Sequence, residues 1–205
     1  MVTKKQIRKS ILLAEKVLIE HLDNQQIREI SSTMEISYRE MESQLPLLKS
    51  SFNRMLLKIS IDSLAFYRAL LMQLRKEDAL KLIQPFVNMW MDAQFNSWTV
   101  RKVYGSRFLH RLYRRYWFAR TNKVNDLEGQ RFEYVRPYGD LFYGVNVTRC
   151  GHVNFLKKMN APELAPFMCQ ADFYIQKFLP KGIKFERSQV IAEGASYCDF
   201  RYIME

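Results

Sequence analysis

The last third of the chain carries an order of elements that limits the possible folds more than any other stretch does. Residues 141–150 alternate apolar and polar side chains with a period of two, which predicts a β-strand. Pro162 and Glu163 then begin a helix, because proline fits a first helical turn and a carboxylate there meets the positive end of the helix dipole. The block therefore opens with a strand followed by a helix.

The same block closes with two more strands. Pro180 and Gly182 end the helix, and residues 184–192 and 197–204 predict two strands that are joined around residues 193–196. Together with a helical first half, this pattern predicts an α+β protein. A helical N-terminal half would pack on a small antiparallel β-sheet formed mainly by the C-terminal third.

Each part of the block carries one of the three cysteines of the chain. Cys150 is expected on the more polar face of the first strand, because it is in phase with polar positions. On the helix, Cys169 and Asp172 are three residues apart, so a thiol and a carboxylate are neighbours on one stripe beside the apolar face. In the last strand, Cys198 and Asp199 point to opposite faces of the sheet.

Five short motifs follow one another in this block. They are VTRC at 147–150, PEL at 162–164, CQAD at 169–172, FER at 185–187, and IAEG at 191–194 with CDFRY at 198–202. In order and spacing they resemble the L-2-amino-thiazoline-4-carboxylic acid hydrolase family. Residues 61–93 resemble the helical region of that family more loosely, and the first fifty residues show no such resemblance.

The resemblance implies a hydrolase that acts on a small substrate carrying a carboxylate, a cyclic amidine or thiazoline. Opening a 2-aminothiazoline ring requires addition to the amidine-like carbon, a proton for the ring nitrogen, and departure of the sulfur as thiolate. Either a thiolate adds to that carbon or a carboxylate activates water. The implied catalytic candidates are Cys150, Cys169, Cys198, Asp172 and Asp199, and the implied substrate-binding candidates are Arg149, Arg187, Glu193 and Arg201.

The preferred catalytic pair is Cys169 with Asp172, because an adjacent ionisable group can tune a thiol. Cys198 by itself is better explained as a buried structural cysteine, since it shares a strand face with Phe200 and Tyr202. An arginine suits the substrate carboxylate because a guanidinium holds a carboxylate with two hydrogen bonds.

The other candidates also have simpler structural interpretations. Asp199 and Arg201 lie on one face of the last strand, where an ion pair would fix the strand pair. Glu193 can be a turn residue. Arg187 can be a cross-strand partner of either acid, Asp199 or Glu193.

Other site chemistries fit the sequence less well. Cys150 and His152 offer two zinc ligands that Cys169 and Cys198 would complete, but the spacing matches no standard metal motif. The sequence lacks a G-x-S-x-G elbow, a P-loop and a dinucleotide-binding glycine pattern. No metal and no cofactor is therefore expected.

Composition sets the outer limits on class and location. A chain of 205 residues suits one domain or a domain with a helical extension. Three cysteines make no disulfide framework, and no apolar N-terminal segment resembles a signal peptide or a membrane span, so a cytoplasmic protein is expected. A net charge of +11 is compatible with an acidic partner and equally with an enzyme for a small carboxylate.

The first part of the chain predicts helices. Apolar residues recur at intervals of three and four residues from Lys4 to Ile36, with a break near Asp23. We expect residues 1–60 to form a helical arm and residues 61–205 to form the hydrolase-like domain, or both to form one continuous domain. The arm can pack on its own domain, which is slightly favoured, or pair with a second copy to make an oligomer.

Two packed helices are expected from Ile61 onward, and Pro85 is expected to kink or restart the second one. The Met and aromatic residues that follow are best explained as core. Trp90 and Trp98 are the alternative candidates for lining a ligand pocket.

Residues 101–123 carry eight lysines and arginines and no acid, interleaved with aromatic side chains. Phosphates pair with guanidinium groups and unpaired bases stack on aromatic rings. The alternative function is therefore a non-catalytic protein that binds nucleic acid along residues 101–123, or a small ligand in the same pocket as the one expected for the hydrolase. The favoured interpretation is an amphipathic helix with solvated arginines and core-facing aromatic residues, because no nucleic-acid motif accompanies the segment.

Overall fold

The fold is α+β, as predicted. The computed structural model describes residues 2–205. Within them the helices are α1 (Lys4–Leu18), α2 (Asn24–Met41), α3 (Ser51–Leu70), α4 (Lys76–Phe95), α5 (Trp98–Gly105), α6 (Arg107–Val124), α7 (Gly151–Lys158) and α8 (Ala165–Tyr174). The strands are β1 (Arg131–Val135), β2 (Leu141–Arg149), β3 (Ile183–Glu186) and β4 (Cys198–Met204).

The four strands form one antiparallel sheet in the order β1-β2-β4-β3. The third strand is shorter than the predicted span of 184–192. The chain leaves the sheet after Glu186 because the backbone N–H groups of Ser188 and Gln189 donate to the carboxylate of Asp199 instead of to a neighbouring strand.

The first two helices pack on the helices that follow them. The break predicted near Asp23 is confirmed, and Asp23 caps α2 by accepting from the backbone N–H groups of its first turn. The helix α2 contacts α3, and α1 contacts α4. The boundary near residue 60 falls inside α3, and one buried apolar cluster runs from Ile11 to Ala171. A division of the chain at that point stays a prediction.

A buried carboxylate joins four of these helices. Asp62 on α3 accepts hydrogen bonds from Gln6 on α1 at 3.0 Å, Tyr38 on α2 at 2.7 Å and the indole N–H of Trp90 on α4 at 2.8 Å. Burial raises the pKa of Asp62, although these three donors oppose the rise. The cluster fixes the position of the Trp90 indole relative to α3.

The helix α4 runs through Pro85 without a restart, so the prediction of a second start there is wrong. Pro85 is exposed, and the segment on both sides of it buries apolar side chains against the core. The two tryptophans have different surroundings: Trp90 is half-buried, whereas Trp98 is 69% exposed.

The basic segment forms two helices, α5 and α6, rather than one. Ser106 separates them and caps α6 through its hydroxyl. The expected orientation of α6 is wrong for several side chains, because Phe108 and Tyr116 are exposed while Arg114 is buried. Arg114 tolerates burial because it donates to the Tyr202 hydroxyl at 3.0 Å and its guanidinium lies 4.8 Å from the ring centre of Phe118.

No helix within residues 2–205 combines the length and the apolar character that crossing a bilayer requires.

Candidate active site

A cavity of about 90 Å³ lies where the sheet meets α3, α6, α7 and α8. Its walls are mainly apolar, and this is typical of small-molecule sites that orient a ligand with a few polar groups. The polar groups and thiols in the lining are Arg114, Gln130, Cys150, Cys169, Asp172 and Cys198, together with His152. All three cysteines of the chain thus line one cavity.

The positions of the sheet and of helices α7 and α8 explain why the three cysteines lie close together. Cys198 begins β4 opposite Val147 of β2, and Cys150 follows the end of β2 as the residue before α7. Cys169 comes from α8, which packs on α7. The expectation for Cys150 is wrong, because it lies in the interior and not on a polar strand face: the chain turns inward there to start α7.

The three thiols are free and protonated at neutral pH. Burial raises the pKa of Cys150 to about 12. Burial, and after it the negative charge of Asp172, raises the pKa of Cys169 to about 12. Burial also raises the pKa of Cys198, whose sulfur accepts the Ile191 backbone N–H at 3.3 Å. Attack by any of these sulfurs therefore requires a base.

Asp172 has the protonation behaviour of such a base. Its Oδ2 accepts from Nη1 of Arg187 at 2.7 Å, and the same nitrogen donates to the carbonyl of Cys169 at 3.0 Å. Burial raises the pKa of Asp172 to about 7, against the opposing charges of Arg187 and then Arg114. A carboxylate with a pKa near neutrality can both take and return a proton under ordinary conditions.

Arg114 brings a positive charge to the cavity. Its Nη2 donates to the Tyr202 hydroxyl, but its Nε is buried and has no hydrogen-bond partner among residues 2–205. Gln130, whose backbone N–H is held by Asn53 at 3.0 Å, has a buried side-chain oxygen that likewise lacks a partner within the described chain. Buried polar groups are normally paired with protein groups or water, so a free donor and a free acceptor in one cavity are available to bind a polar ligand or a water molecule.

His152 completes the polar lining as a neutral imidazole. Its Nδ1 lies 2.8 Å from the Ser60 hydroxyl, and burial lowers its pKa to about 4. The described residues contain no group of three His, Cys, Asp or Glu side chains that could hold a metal ion. The zinc interpretation of Cys150 and His152 therefore gains no support.

Five of the candidate residues do not line the cavity: Arg149, Arg187, Glu193, Asp199 and Arg201. Arg149 donates its Nε to the Gly129 carbonyl at 3.0 Å and its Nη2 to the Asp126 carbonyl, so it ties the loop before β1 to the end of β2. Glu193 is exposed in a short turn. Arg201 donates to the Asn146 side chain at 3.0 Å.

Asp199 lies on the outer side of the sheet and does not pair with Arg201, so the predicted same-face ion pair is wrong. Burial alone would raise the pKa of Asp199, but the Ser188 hydroxyl and the N–H groups of Ser188 and Gln189 lower it overall. These contacts fix the turn after β3. The cross-strand role considered for Arg187 is replaced by its ion pair with Asp172 on α8.

Sequence reasoning missed Arg114, Gln130 and the cavity position of His152. Arg114 is one of eight basic residues in the segment 101–123, and all of them were expected on the solvent-exposed face of a helix. A signal was present in the spacing, because Arg114 is four residues from both His110 and Phe118, and all three share the buried side of α6.

Comparison with known proteins gives one match. A family model described as L-2-amino-thiazoline-4-carboxylic acid hydrolase matches residues 54–202, whereas no curated protein and no solved structure matches the chain. The matched range covers most of the chain and contains every polar residue of the cavity lining. The chain belongs to the L-2-amino-thiazoline-4-carboxylic acid hydrolase family.

Proposed function

We propose that this chain is a hydrolase that opens the ring of L-2-amino-thiazoline-4-carboxylate or a closely related cyclic amidine carboxylate. The observation that carries the proposal is one cavity that brings together an arginine with an unpaired donor, a carboxylate with a pKa of about 7 and three thiols. An anion-binding group, a base and a nucleophile are the parts that this reaction needs.

Arg114 is the group that we assign to the substrate carboxylate. It is buried, its Nε is unpaired, and it lines the cavity, whereas the guanidinium groups of Arg149, Arg187 and Arg201 are all engaged with protein oxygens. A charge-assisted hydrogen bond to a carboxylate would satisfy the free Nε. We assign Arg187 to positioning, since its contact with Asp172 orients the carboxylate.

Cys169 is the nucleophile that we favour, with Asp172 as its base. The two residues are three positions apart on α8 and line the same cavity. A thiol with a pKa of about 12 loses its proton more readily than water, whose pKa is about 15.7. Asp172 can therefore generate a thiolate during attack more easily than it can generate hydroxide.

The proposed steps balance in atoms and protons. Asp172 accepts the thiol proton while the sulfur of Cys169 forms a bond to the amidine carbon of the ring. The bond between that carbon and the ring sulfur then breaks, and Asp172 returns the proton to the departing thiolate. Water, deprotonated by Asp172, attacks the resulting isothiourea, the bond to Cys169 breaks, and the thiol of Cys169 is restored. The product is a carbamoylated amino thiol.

Thiol release from L-2-amino-thiazoline-4-carboxylate by the purified protein tests this function. Cys169→Ala is expected to abolish turnover with the fold intact by circular dichroism, and Cys198→Ala is the matched control at a second thiol of the same cavity. Full activity of Cys169→Ala excludes this residue as the nucleophile. The absence of thiol release by the parent protein contradicts the inherited substrate.

A second candidate function is supported by the exposed face of α6. Phe108, Leu112 and Tyr116 follow one another at four-residue intervals and are 69%, 55% and 53% exposed, and exposed Arg111 and Arg115 stand beside them. Such a face suits a single-stranded nucleic acid. Binding of a labelled oligonucleotide that weakens steeply with salt and is lost in Phe108→Ala with Tyr116→Ala would favour it. Binding unchanged by these substitutions would contradict it.

A further inference from the structure

A second cavity adjoins the candidate active site and has a different character. It has a volume of about 100 Å³ and shares seven lining residues with the first cavity, of which Arg114, His152 and Asp172 are the polar ones. Beyond the shared residues its walls are mostly apolar and come from α3, α4, α5 and α8, including Ile59, Trp90, Met91, Phe95 and Tyr104. We call this second cavity the apolar arm.

We propose that the substrate of this protein carries an aromatic or branched aliphatic group close to its carboxylate, and that this group occupies the apolar arm. The inference rests on the proposed function, because it assigns the substrate class of the same site. It predicts that the unsubstituted thiazoline ring fills only part of the available space.

The walls of the apolar arm are held in place by contacts outside it. The indole N–H of Trp90 donates to the buried carboxylate of Asp62 at 2.8 Å. The ring of Phe95 lies between Tyr104, at 4.8 Å in an edge-to-face arrangement, and Phe178, stacked at 4.6 Å. These contacts preform the arm, so a ligand does not have to create it.

An unfilled apolar space lowers stability, because the surrounding side chains lose packing contacts. Phe95 and Tyr104 are nearly fully buried, so their part of the lining faces the interior of the protein. An apolar ligand group would supply the missing contacts. The arm is therefore best explained as part of a ligand site.

The position of Arg114 decides which part of the substrate enters the arm. Arg114 and Asp172 stand at the junction of the two cavities, whereas the cysteines line only the first. A carboxylate bound to Arg114 leaves the reacting ring beside Cys169 and directs a substituent near the carboxylate toward Trp90. A substituent on the ring carbon next to the carboxylate-bearing carbon meets this requirement.

Binding of two simple carboxylates tests the arm without any hydrolysis. Propanoate and 3-phenylpropanoate are titrated into the parent protein and the affinities are measured by ligand-observed NMR. We expect 3-phenylpropanoate to bind at least tenfold more tightly, and Ile59→Trp to remove this advantage while the affinity for propanoate stays the same. Leu47→Trp, at a side chain that is 97% exposed, is the control and should change neither affinity.

Equal affinities in the parent protein, or an advantage that persists in Ile59→Trp, would overturn the proposal. Ile59→Phe gives the same test with a smaller added volume if the tryptophan variant does not fold.

Hydrolysis separates this inference from the proposed function. The 5-phenyl derivative of 2-amino-thiazoline-4-carboxylate should show a higher kcat/KM than the unsubstituted parent compound, and the reverse order would overturn the arm as a substrate site. If the two carboxylates are distinguished in binding but neither thiazoline is opened, the ring-opening function fails and the arm stands.

Discussion

At the scale of single residues, burial determines the protonation states in the cavity. It raises the pKa values of Cys150 and Cys169 to about 12 and that of Asp172 to about 7, and it lowers that of His152 to about 4. Near neutral pH the thiols and the imidazole are uncharged, and Asp172 is the one group of these four that is poised to exchange a proton. Catalysis in this cavity should therefore depend on Asp172.

The pH dependence of activity should report the carboxylate of Asp172. A base must be ionised, so log kcat/KM should rise with pH and level off above an apparent pKa of about 7. Asp172→Asn should reduce kcat by about 10²- to 10⁴-fold and remove this inflection. Asp199→Asn on the outer side of the sheet is the matched control. An inflection near 7 that survives in Asp172→Asn would refute the assignment.

The same carboxylate should affect stability in the opposite direction. The folded protein binds the Asp172 proton more tightly than the unfolded chain does, so this group contributes stability below pH about 4 that is lost as pH rises through about 7. The free energy of unfolding of the parent protein should therefore fall relative to Asp172→Asn between pH 4 and pH 8, as measured by urea denaturation. A constant difference across this range would contradict the raised pKa.

Arg114 should act through substrate binding. Arg114→Lys keeps a positive charge but loses the Nε donor, so KM should rise by about ten- to a hundredfold, the value of a hydrogen bond to a charged group. Arg115→Lys, at an exposed neighbour on the same helix, should leave KM unchanged. Equal effects of the two substitutions on KM would show that Arg114 does not hold the substrate.

Single residues also show where sequence reasoning stopped. The spacing of Cys169 and Asp172 was sufficient to predict that they share a helix stripe, because i,i+3 neighbours are set by the helix itself. The contact between Asp172 and Arg187 and the approach of Arg114 depend on tertiary packing, since these residues belong to different elements. No local pattern encodes which of many arginines becomes buried.

At the scale of elements, a short loop connects the cavity to the start of α3. The carboxylate of Asp126 accepts from the backbone N–H groups of Lys49 and Ser50 at 2.8 and 2.9 Å and from the Asn53 side chain at 3.1 Å. The loop continues to Gln130, whose side chain lines the cavity. Asp126 therefore anchors the loop to the residues just before α3, whose N-cap is Ser50.

Removing this anchor should affect stability. Asp126→Ala leaves buried donors unpaired and should lower the free energy of unfolding by about 2–4 kcal/mol, measured by urea denaturation. Glu128→Ala, which breaks an exposed ion pair with Lys158 in the same loop, should cost less than about 1 kcal/mol. Similar losses for both variants would contradict the anchoring role.

Elements were predicted best where the hydrophobic period was clear. The break between α1 and α2 and the strands β2 and β4 follow from apolar spacing and turn residues. The helix predicted from Pro162 begins later, because Pro162–Leu164 form a single 3₁₀ turn and α8 starts at Ala165. The orientation of α6 did not follow, because both of its sides carry aromatic and basic side chains. The hydroxyl of Tyr202, far along the chain, selects the side on which Arg114 is buried.

At the scale of the whole molecule, the candidate site has walls from both halves of the chain: one side comes from the sheet and α8, and the other from the helical half. The cysteines and Asp172 come from the C-terminal third, whereas Arg114 and most of the apolar arm come from α3 to α6. The first two helices lie before the range that the family model matches, and they support the arm through the bonds of Gln6 and Tyr38 to Asp62. The α+β class was predictable from the order of elements, but a cavity shared by both halves was not.

The most direct test of the central claim is intact-protein mass spectrometry during a single turnover of L-2-amino-thiazoline-4-carboxylate. The account predicts a transient mass increase equal to one substrate molecule, located on Cys169 by digestion and absent in Cys169→Ser. Thiol release without any adduct, undiminished in Cys169→Ser, would contradict the assignment of Cys169 as the residue that opens the ring.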